Sequence, residues 1–211
     1  MGHGDRVGRR VVAGVCGTLL LSMQMRRTEA RVRPLRRAEF DQLIALGLFA
    51  RERVELVNGE LIDMGPQGGS HASTITRLVR LLVPRLSRNV EARIQMPFAA
   101  GPASEPEPDL ALVLAGDYEI DHPTSALLVI EVSDTSLEYD QTVKAALYAK
   151  ARVPEYWLVN LATLSIEVRR LPMRGQYTRV RTAQIGDTLR PVALQRLTVP
   201  VADVFPRPPK I

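Results

Sequence analysis

Two carboxylate side chains interrupt apolar runs of this sequence. Asp109 follows Pro108 and opens the run 110–114, and Glu131 lies near the end of the run 127–132. An ionised carboxylate at the end of a buried strand is costly unless a cation or a hydrogen-bond donor satisfies it. Two such groups on neighbouring strands would repel each other, and a divalent cation would remove that repulsion. Mg²⁺ is often held by one or two carboxylates together with water and substrate phosphate oxygens. A strand-end acid that faces solvent or pairs with an arginine is the simpler explanation for each carboxylate taken singly.

Lys144 is a third candidate because lysine is scarce in this chain. Three lysines stand beside 25 arginines. A lysine ammonium is a compact point charge that can lie beside a water molecule or a developing negative charge. Asp140, Lys144 and Tyr148 are spaced four residues apart, which places them roughly on one face of a helix. The spacing alone favours an ordinary exposed Asp–Lys pair beside a partly buried tyrosine.

The apolar pattern predicts the elements that must position these side chains. Apolar residues at helical spacing predict an N-terminal helix over 36–49, and Asn58-Gly59 between two short apolar runs predicts a β-hairpin. The further predicted elements are a loop over 65–70, a helix over 73–86 that Pro84 kinks or shortens, strands over 90–99, 109–114 and 127–132, a helix over 137–152, and strands over 155–160 and 164–169. Strands on both sides of a central helix predict a mixed α/β sheet. The stretch 171–211 shows only short β segments and a proline-rich end.

The composition limits the classes of protein to which the chain can belong. With 211 residues, 45% of them hydrophobic and 24% charged, the chain has the size and composition of one globular domain. The single cysteine, Cys16, excludes an internal disulfide framework and a cysteine-rich zinc site. A reducing compartment, the cytoplasm, is therefore the predicted location.

The positive charge is concentrated at the N-terminus. The formal net charge is +5, but residues 1–37 hold nine arginines and two acidic residues, so the remaining residues carry −2. The basic balance is therefore weak evidence that the folded part binds nucleic acid. The apolar run 11–23 is too short to span a bilayer. It is explained by a translation start placed too early, by a loosely helical tail or by an export signal. We expect residues 1–24, disordered or wrongly included, to lie outside a single domain over 25–211.

Six blocks of sequence, in this order, resemble the Uma2 family of putative restriction endonucleases, formerly a domain of unknown function. The blocks are ELVNGEL at 55–61, Gly65-Pro66 with His71, Pro108-Asp109-Leu110, LVIEVS at 128–133, Asp140-x3-Lys144-x3-Tyr148 and VPEYWLV at 153–159. The resemblance covers roughly residues 30–170. It implies the PD-(D/E)xK nuclease superfamily and a restriction-endonuclease-like mixed β-sheet flanked by helices, with an N-terminal helix and a β-hairpin.

The resemblance implies a role for each matching position. Asp109 and Glu131 match the two acidic residues of the superfamily motif and would be metal ligands. The usual lysine of that motif would fall at Ser133, so the resemblance implies that Lys144 takes its place from the following helix. There it would position or activate the attacking water and offset charge on the scissile phosphate.

Other positions match the family with less defined roles. Glu55 would be a further metal ligand and His71 a ligand or a phosphate contact, although a structural role remains open for each. Tyr148 and Trp157 are assigned mainly to packing. Asn160 departs from the family, which commonly has aspartate there, and the proline- and alanine-rich segment 101–108 is a second departure.

The function implied by the resemblance is metal-dependent endonuclease activity on phosphodiester bonds, with DNA as the first candidate substrate. The implied cofactor is Mg²⁺, for which Mn²⁺ could substitute. A non-catalytic nuclease-fold domain that binds DNA or a partner protein remains an alternative, and so does a metal-dependent hydrolase with a non-nucleic substrate. We expect no stable membrane association, and the sequence allows a homodimer without requiring one.

Overall fold

A mixed β-sheet of six strands forms the centre of the protein, whose computed structural model describes residues 32–206. Its strands are β3 Val90–Arg93, β4 Leu110–Leu114, β5 Leu128–Ser133, β6 Glu155–Asn160, β7 Ser165–Met173 and β8 Gln176–Ala183. They lie in the order β3-β4-β5-β6-β7-β8, and only β5 and β6 are parallel. The predicted mixed sheet is confirmed. The predicted extension over 1–24 lies outside the described residues.

Helices pack on both faces of this sheet. The helices of the described residues are α1 Arg37–Ala45, α2 Gly69–Leu82, α3 Leu137–Tyr139, α4 Ala145–Lys150 and α5 Val201–Val204. The short strands β9 Thr188–Leu189 and β10 Val199–Pro200 form a separate pair. Side chains alternate across each strand, so one face packs with α2 and α5 and the other with α4. On β5, Ile130 and Val132 belong to the first core and Val129 to the second. Glu131 therefore points towards the α4 face.

The N-terminal helix and the hairpin form where the sequence predicts them. The hairpin consists of β1 Val54–Val57 and β2 Glu60–Asp63. Its turn residues Asn58 and Gly59 have φ angles of 52° and 84°, as a two-residue hairpin turn requires. The helix α1 ends earlier than predicted because Gly47, with φ of 76°, reverses the chain just beyond it.

The boundaries of two other elements differ from the prediction. The helix α2 begins at Gly69, so the end of the predicted loop 65–70 belongs to its first turn. Pro84 follows it in a short 3-10 turn, Val83–Arg85, as the expected shortening requires. The strand predicted over 90–99 ends at Arg93, so the prediction is wrong beyond that residue. There Gln95 takes a positive φ of 52° and leaves the sheet, and its backbone N–H donates to the carbonyl of Pro108 at 3.1 Å.

The helix predicted over 137–152 is present but not regular. Between α3 and α4 the chain forms a π-helical segment, Asp140–Lys144. A π segment widens the helix by one residue and rotates the side chains on either side of it, and such segments are frequent at functional sites. None of the helices between residues 32 and 206 combines the length and the apolar character that a membrane crossing requires.

Candidate active site

Five side chains from separate elements line one pocket. Asp109 immediately precedes β4, Glu131 lies in β5, Glu55 in β1, Lys144 at the end of the π segment and His71 in the first turn of α2. The pocket has a volume of about 480 Å³. The structure thus brings together all the residues that the sequence singled out as catalytic or metal-binding. They are up to 89 positions apart in the chain.

Asp109 and Glu131 are held by backbone groups of each other's strands. The N–H of Asp109 donates to Oε2 of Glu131 at 3.0 Å. The N–H of Val132 donates to Oδ2 of Asp109 at 2.8 Å. Because Asp109 immediately precedes β4 and Val132 lies in β5, the pairing of these two strands holds the two carboxylates side by side. Both are buried, with 7% of Asp109 and 5% of Glu131 exposed.

Lys144 joins two carboxylates in the pocket. Its Nζ donates to Oε2 of Glu55 at 2.6 Å and to Oε1 of Glu131 at 3.3 Å. Burial by itself would lower the pKa of Lys144, but the charges of Glu131 and Glu55 outweigh that effect and raise the pKa. The lysine is therefore a fixed ammonium, a donor of protons in hydrogen bonds and not an acceptor.

The exposed Asp–Lys pair that the spacing favoured is not present. Asp140 and Lys144 are both buried, and Asp140 accepts a hydrogen bond from Oγ of Ser136 at 2.5 Å. Lys144 instead pairs with Glu55 and Glu131. Since these residues lie within the π segment, a regular four-residue helical spacing does not describe their directions.

Glu131 has the most strongly perturbed carboxyl group in the pocket. Burial raises its pKa to about 8, and the neighbouring charge of Asp109 adds to the effect while Lys144 opposes it. Tyr148 donates from its hydroxyl to Oε1 of Glu131 at 2.6 Å. Tyr148 therefore packs in the core, as predicted, and also contacts the site through its hydroxyl.

Glu55 is completely buried and only half satisfied. Its Oε2 accepts hydrogen bonds from Lys144 and, at 3.1 Å, from the backbone N–H of Glu107. Its Oε1 has no hydrogen-bond partner within the described residues. A buried carboxylate oxygen without a donor is costly, which makes this atom a candidate ligand for a cation.

His71 and Gln95 complete the surroundings of Asp109. The Nε2 of His71 lies 3.0 Å from Oδ2 of Asp109, and this hydrogen bond raises the pKa of His71. Gln95 donates from Nε2 to Oδ1 of Asp109 at 3.3 Å. The sequence predicted His71 but not Gln95. The sequence predicts Gln95 in the middle of a strand, and nothing in its spacing connects it with Asp109.

The donor set fits a hard divalent cation better than a soft one. Its oxygens come from Asp109, Glu131 and Glu55, and oxygen ligands are those that Mg²⁺ prefers. Three carboxylates face one ammonium, so the pocket holds more acidic than basic groups. No preformed group of three metal-binding side chains occurs in the part of the chain that the structure describes. Mg²⁺ does not need one, because it usually retains water and substrate oxygens.

Comparisons with known proteins give a family and similar solved structures. The model of the Uma2 family, described as putative restriction endonuclease, matches residues 37–202. The crystal structure of a putative nuclease belonging to DUF820 from Anabaena variabilis is 15% identical, with a TM-score of 0.57. The match covers 73% of this chain and 90% of that one, and at this identity it shows a shared fold. None of the curated proteins matches this chain in sequence.

Two positions where the motif or the family differs from this chain have clear places in the structure. Ser133, where the superfamily's usual lysine would fall, is buried at the end of β5, with its Oγ 3.4 Å from Oγ of Ser136. Asn160 accepts hydrogen bonds at its Oδ1 from the N–H groups of Ala162 and Thr163, at 2.9 and 3.1 Å. Asn160 therefore holds the turn that follows β6.

Proposed function

This chain belongs to the Uma2 family of putative restriction endonucleases, and we propose that it is a Mg²⁺-dependent endonuclease that hydrolyses phosphodiester bonds in DNA. One observation carries the proposal: Asp109, Glu131 and Lys144 lie within a connected set of hydrogen bonds that lines one open pocket. Two buried carboxylates and an ammonium in contact are the groups that phosphodiester hydrolysis with a divalent cation needs.

Asp109 and Glu131 would hold the ion. Oε1 of Glu55, which has no hydrogen-bond partner among residues 32–206, would be a further ligand. The raised pKa of Glu131 supports this assignment, since burial near a second acid makes its ionised form costly. A divalent cation would offset that cost. When bound, Mg²⁺ would polarise the scissile phosphate and lower the pKa of a water molecule.

Lys144 would act as a donor and not as a base. Its raised pKa keeps it protonated at neutral pH, so it can donate to the attacking water and offset negative charge on the phosphate. Its hydrogen bonds to Glu55 and Glu131 fix the direction of its ammonium before substrate arrives. Such preorganisation reduces the reorganisation needed in the transition state.

Cleavage of supercoiled plasmid DNA tests the proposal. The wild-type chain should cleave it with Mg²⁺ and not with a chelator. Glu131→Gln and Lys144→Met should each lower the rate by about 100-fold or more, because each removes a charged group from the site. Lys150→Met is the matched control, since Lys150 lies on the same helical region but is exposed and outside the pocket.

Circular dichroism should show that each variant is folded, and the control should cleave within about twofold of the wild-type rate because a surface charge far from the reaction contributes little. Wild-type cleavage by folded Glu131→Gln or Lys144→Met would contradict the assigned roles. Equal losses in Lys144→Met and Lys150→Met would show that general charge, and not the pocket, accounts for the effect.

A non-catalytic nuclease-fold domain is the second candidate function. The −2 charge of residues 38–211 favours it, because enzymes that hold duplex DNA usually present a basic surface. This candidate predicts that Mg²⁺ in place of a chelator leaves the midpoint of thermal unfolding unchanged. The endonuclease proposal predicts a higher midpoint, since a ligand that binds only the folded state stabilises it.

A further inference from the structure

Four arginines line a second cleft, which lies at the β7–β8 end of the sheet. The cleft has a volume of about 230 Å³, and its arginines are Arg170, Arg179, Arg181 and Arg190. None of the residues that line it also lines the candidate active site. Its apolar floor includes Val168 and Leu189, which belong to the core on the α2 face, whereas Glu131 points towards the α4 face. Glu131 and the arginine cleft are therefore on opposite faces of the sheet.

The strand register brings these positive charges close together, which lowers the stability of the sheet. Arg170 is directly opposite Arg179 in the antiparallel β7–β8 pair, and Arg181 follows two residues later on the same face. Like charges directly opposite each other destabilise a sheet. Charges on an edge strand can prevent unwanted pairing, but Arg170 lies on β7, which is not an edge strand.

Acidic partners inside the protein only partly balance this cluster. Glu155, which is fully buried, binds Nη2 of Arg170 at 2.8 Å, and Asp187 lies 3.5 Å from Arg181. Arg179 and Arg190 form no ion pair within residues 32–206. Four arginines and two carboxylates leave the cleft with a charge of +2, although the chain outside the N-terminal segment is net acidic.

Arg170 is fixed in place before any ligand binds. Its Nη2 also donates to the carbonyl of Arg190 at 2.7 Å. The carboxylate of Glu155 is itself held by Nε1 of Trp157 at 2.6 Å and by the N–H of Val192 at 2.5 Å. One side of the cleft is thus rigid, while Arg179 and Arg190 are exposed and free to close on a ligand.

We propose that this cleft binds backbone phosphates of nucleic acid, away from the site of cleavage. Arginine presents a planar fork of donors that matches phosphate oxygens and keeps its charge at all physiological pH values. Bound phosphates would offset the repulsion between Arg170 and Arg179 that Glu155 compensates only in part. The choice of nucleic acid over free phosphate rests on the proposed function, which makes DNA the substrate.

Binding of a fluorescently labelled DNA duplex, measured by anisotropy in a chelator so that no cleavage occurs, tests this inference. The variant Arg179→Gln/Arg190→Gln should bind on the order of 30-fold more weakly at 0.15 M salt, because it loses two phosphate contacts. Each lost contact reduces the magnitude of the slope of log K against log salt by about 0.9, so the two together should reduce it by about 1.8. Arg80→Gln/Arg88→Gln carries the same change in charge at exposed positions outside the cleft and should bind within about threefold of wild type.

Each other outcome overturns the inference. Equal weakening in the two double variants would mean that only overall charge matters, and unchanged binding in Arg179→Gln/Arg190→Gln would remove the cleft from DNA binding. Absence of duplex binding by the wild type, with tripolyphosphate raising the wild-type unfolding temperature but not that of the cleft variant, would assign the cleft to free polyphosphate.

Failure of this inference is distinct from failure of the proposed function. If the wild-type chain cleaves plasmid with Mg²⁺ and the cleft variant binds duplex as tightly as wild type, the cleft assignment is wrong and the endonuclease proposal stands. If the cleft variant loses binding as expected but no divalent cation supports cleavage by the wild type, the cleft assignment stands and the endonuclease proposal fails.

Discussion

Glu131 accepts three of the hydrogen bonds in the pocket. It accepts from the N–H of Asp109, the hydroxyl of Tyr148 and the ammonium of Lys144. Even with these donors, burial raises its pKa to about 8. Without a bound cation, burial therefore favours the protonated form of Glu131 over its ionised form.

The raised pKa of Glu131 predicts how stability depends on pH. The folded protein binds this proton up to about pH 8, whereas the unfolded chain releases it near 4.5, so the folded state holds more protons between these values. The free energy of unfolding in a chelator should fall as pH rises through this interval. Glu131→Gln, which resembles the protonated acid, should reduce that fall. Urea denaturation across the interval measures it.

The raised pKa values of His71 and Asp140 act in the same direction, so some of the pH dependence should remain in Glu131→Gln. Wild type and Glu131→Gln with identical pH dependence would show that Glu131 titrates normally in the folded state.

The hydroxyl of Tyr148 should tune Glu131. Its hydrogen bond lowers the pKa of that carboxyl, so Tyr148→Phe should raise the pKa further. The midpoint of the rising limb of Mg²⁺-dependent cleavage should then move up by on the order of one pH unit, the equivalent of one hydrogen bond. Tyr139→Phe is the control, because the Tyr139 hydroxyl lines the same pocket without a hydrogen-bond partner in the described chain. A midpoint that moves equally in both variants would contradict the role of Tyr148.

The residue types predicted many of the side chains that line the pocket, but they did not predict which of these side chains contact each other. Asp109 and Glu131 are evident because they interrupt apolar runs, and Lys144 because lysine is rare in this chain. The partners of Lys144 could not be predicted from spacing, because the π segment changes its direction and because Glu55 lies 89 residues away. The hydrogen bond from the Tyr148 hydroxyl to Glu131 could not be predicted from spacing either. A buried tyrosine at helical spacing predicts packing, and only the fold shows what its oxygen reaches.

The β1–β2 hairpin is the element that brings Glu55 into the pocket. Its turn also holds the N-terminal chain, since the carbonyl of Gly59 accepts from the N–H of Leu35 at 2.9 Å and its N–H donates to the carbonyl of Ala103 at 2.7 Å. A β-carbon at Gly59 would lie 2.3 Å from Cβ of Pro34. The turn therefore requires glycine both for its backbone conformation and for this close approach.

Two glycine substitutions separate these requirements. Gly47→Ala imposes a positive φ on alanine with no atom within 4 Å of the added carbon, and should cost about 1 kcal/mol of unfolding free energy. Gly59→Ala adds the clash with Pro34 and should cost about 1–3 kcal/mol more. Urea denaturation measures both. Equal losses would mean that Pro34 moves aside freely and does not hold the turn.

A second hairpin shows why some elements could not be predicted. The strands β7 and β8 are joined by Arg174 and Gly175, whose φ angles of 51° and 77° resemble those of Asn58 and Gly59. Asn-Gly is a strong hairpin signal, but arginine in the first position is not. Only two of the eight residues of β8 are buried, so the alternation that identifies a strand is also weak.

In the molecule as a whole, acidic and basic side chains are concentrated at two separate sites. The candidate active site concentrates carboxylates on the α4 face, and the arginine cleft concentrates guanidinium groups on the other face, at the β7–β8 end. A net charge of −2 outside residues 1–37 conceals this division. Composition alone therefore gave little evidence for nucleic-acid binding, because it averages over surfaces that only the strand order and register separate.

Binding of Mg²⁺ followed by calorimetry at pH 7 tests most directly whether the buried acids share a cation. Because the pKa of Glu131 is about 8, binding should release close to one proton, which two buffers of different ionisation enthalpy can measure. We predict one bound ion and this proton release in the wild type, and loss of both in Asp109→Asn and Glu131→Gln. Absence of Mg²⁺ binding by the folded wild-type chain, or binding that survives unchanged in Glu131→Gln, would contradict the proposed metal site.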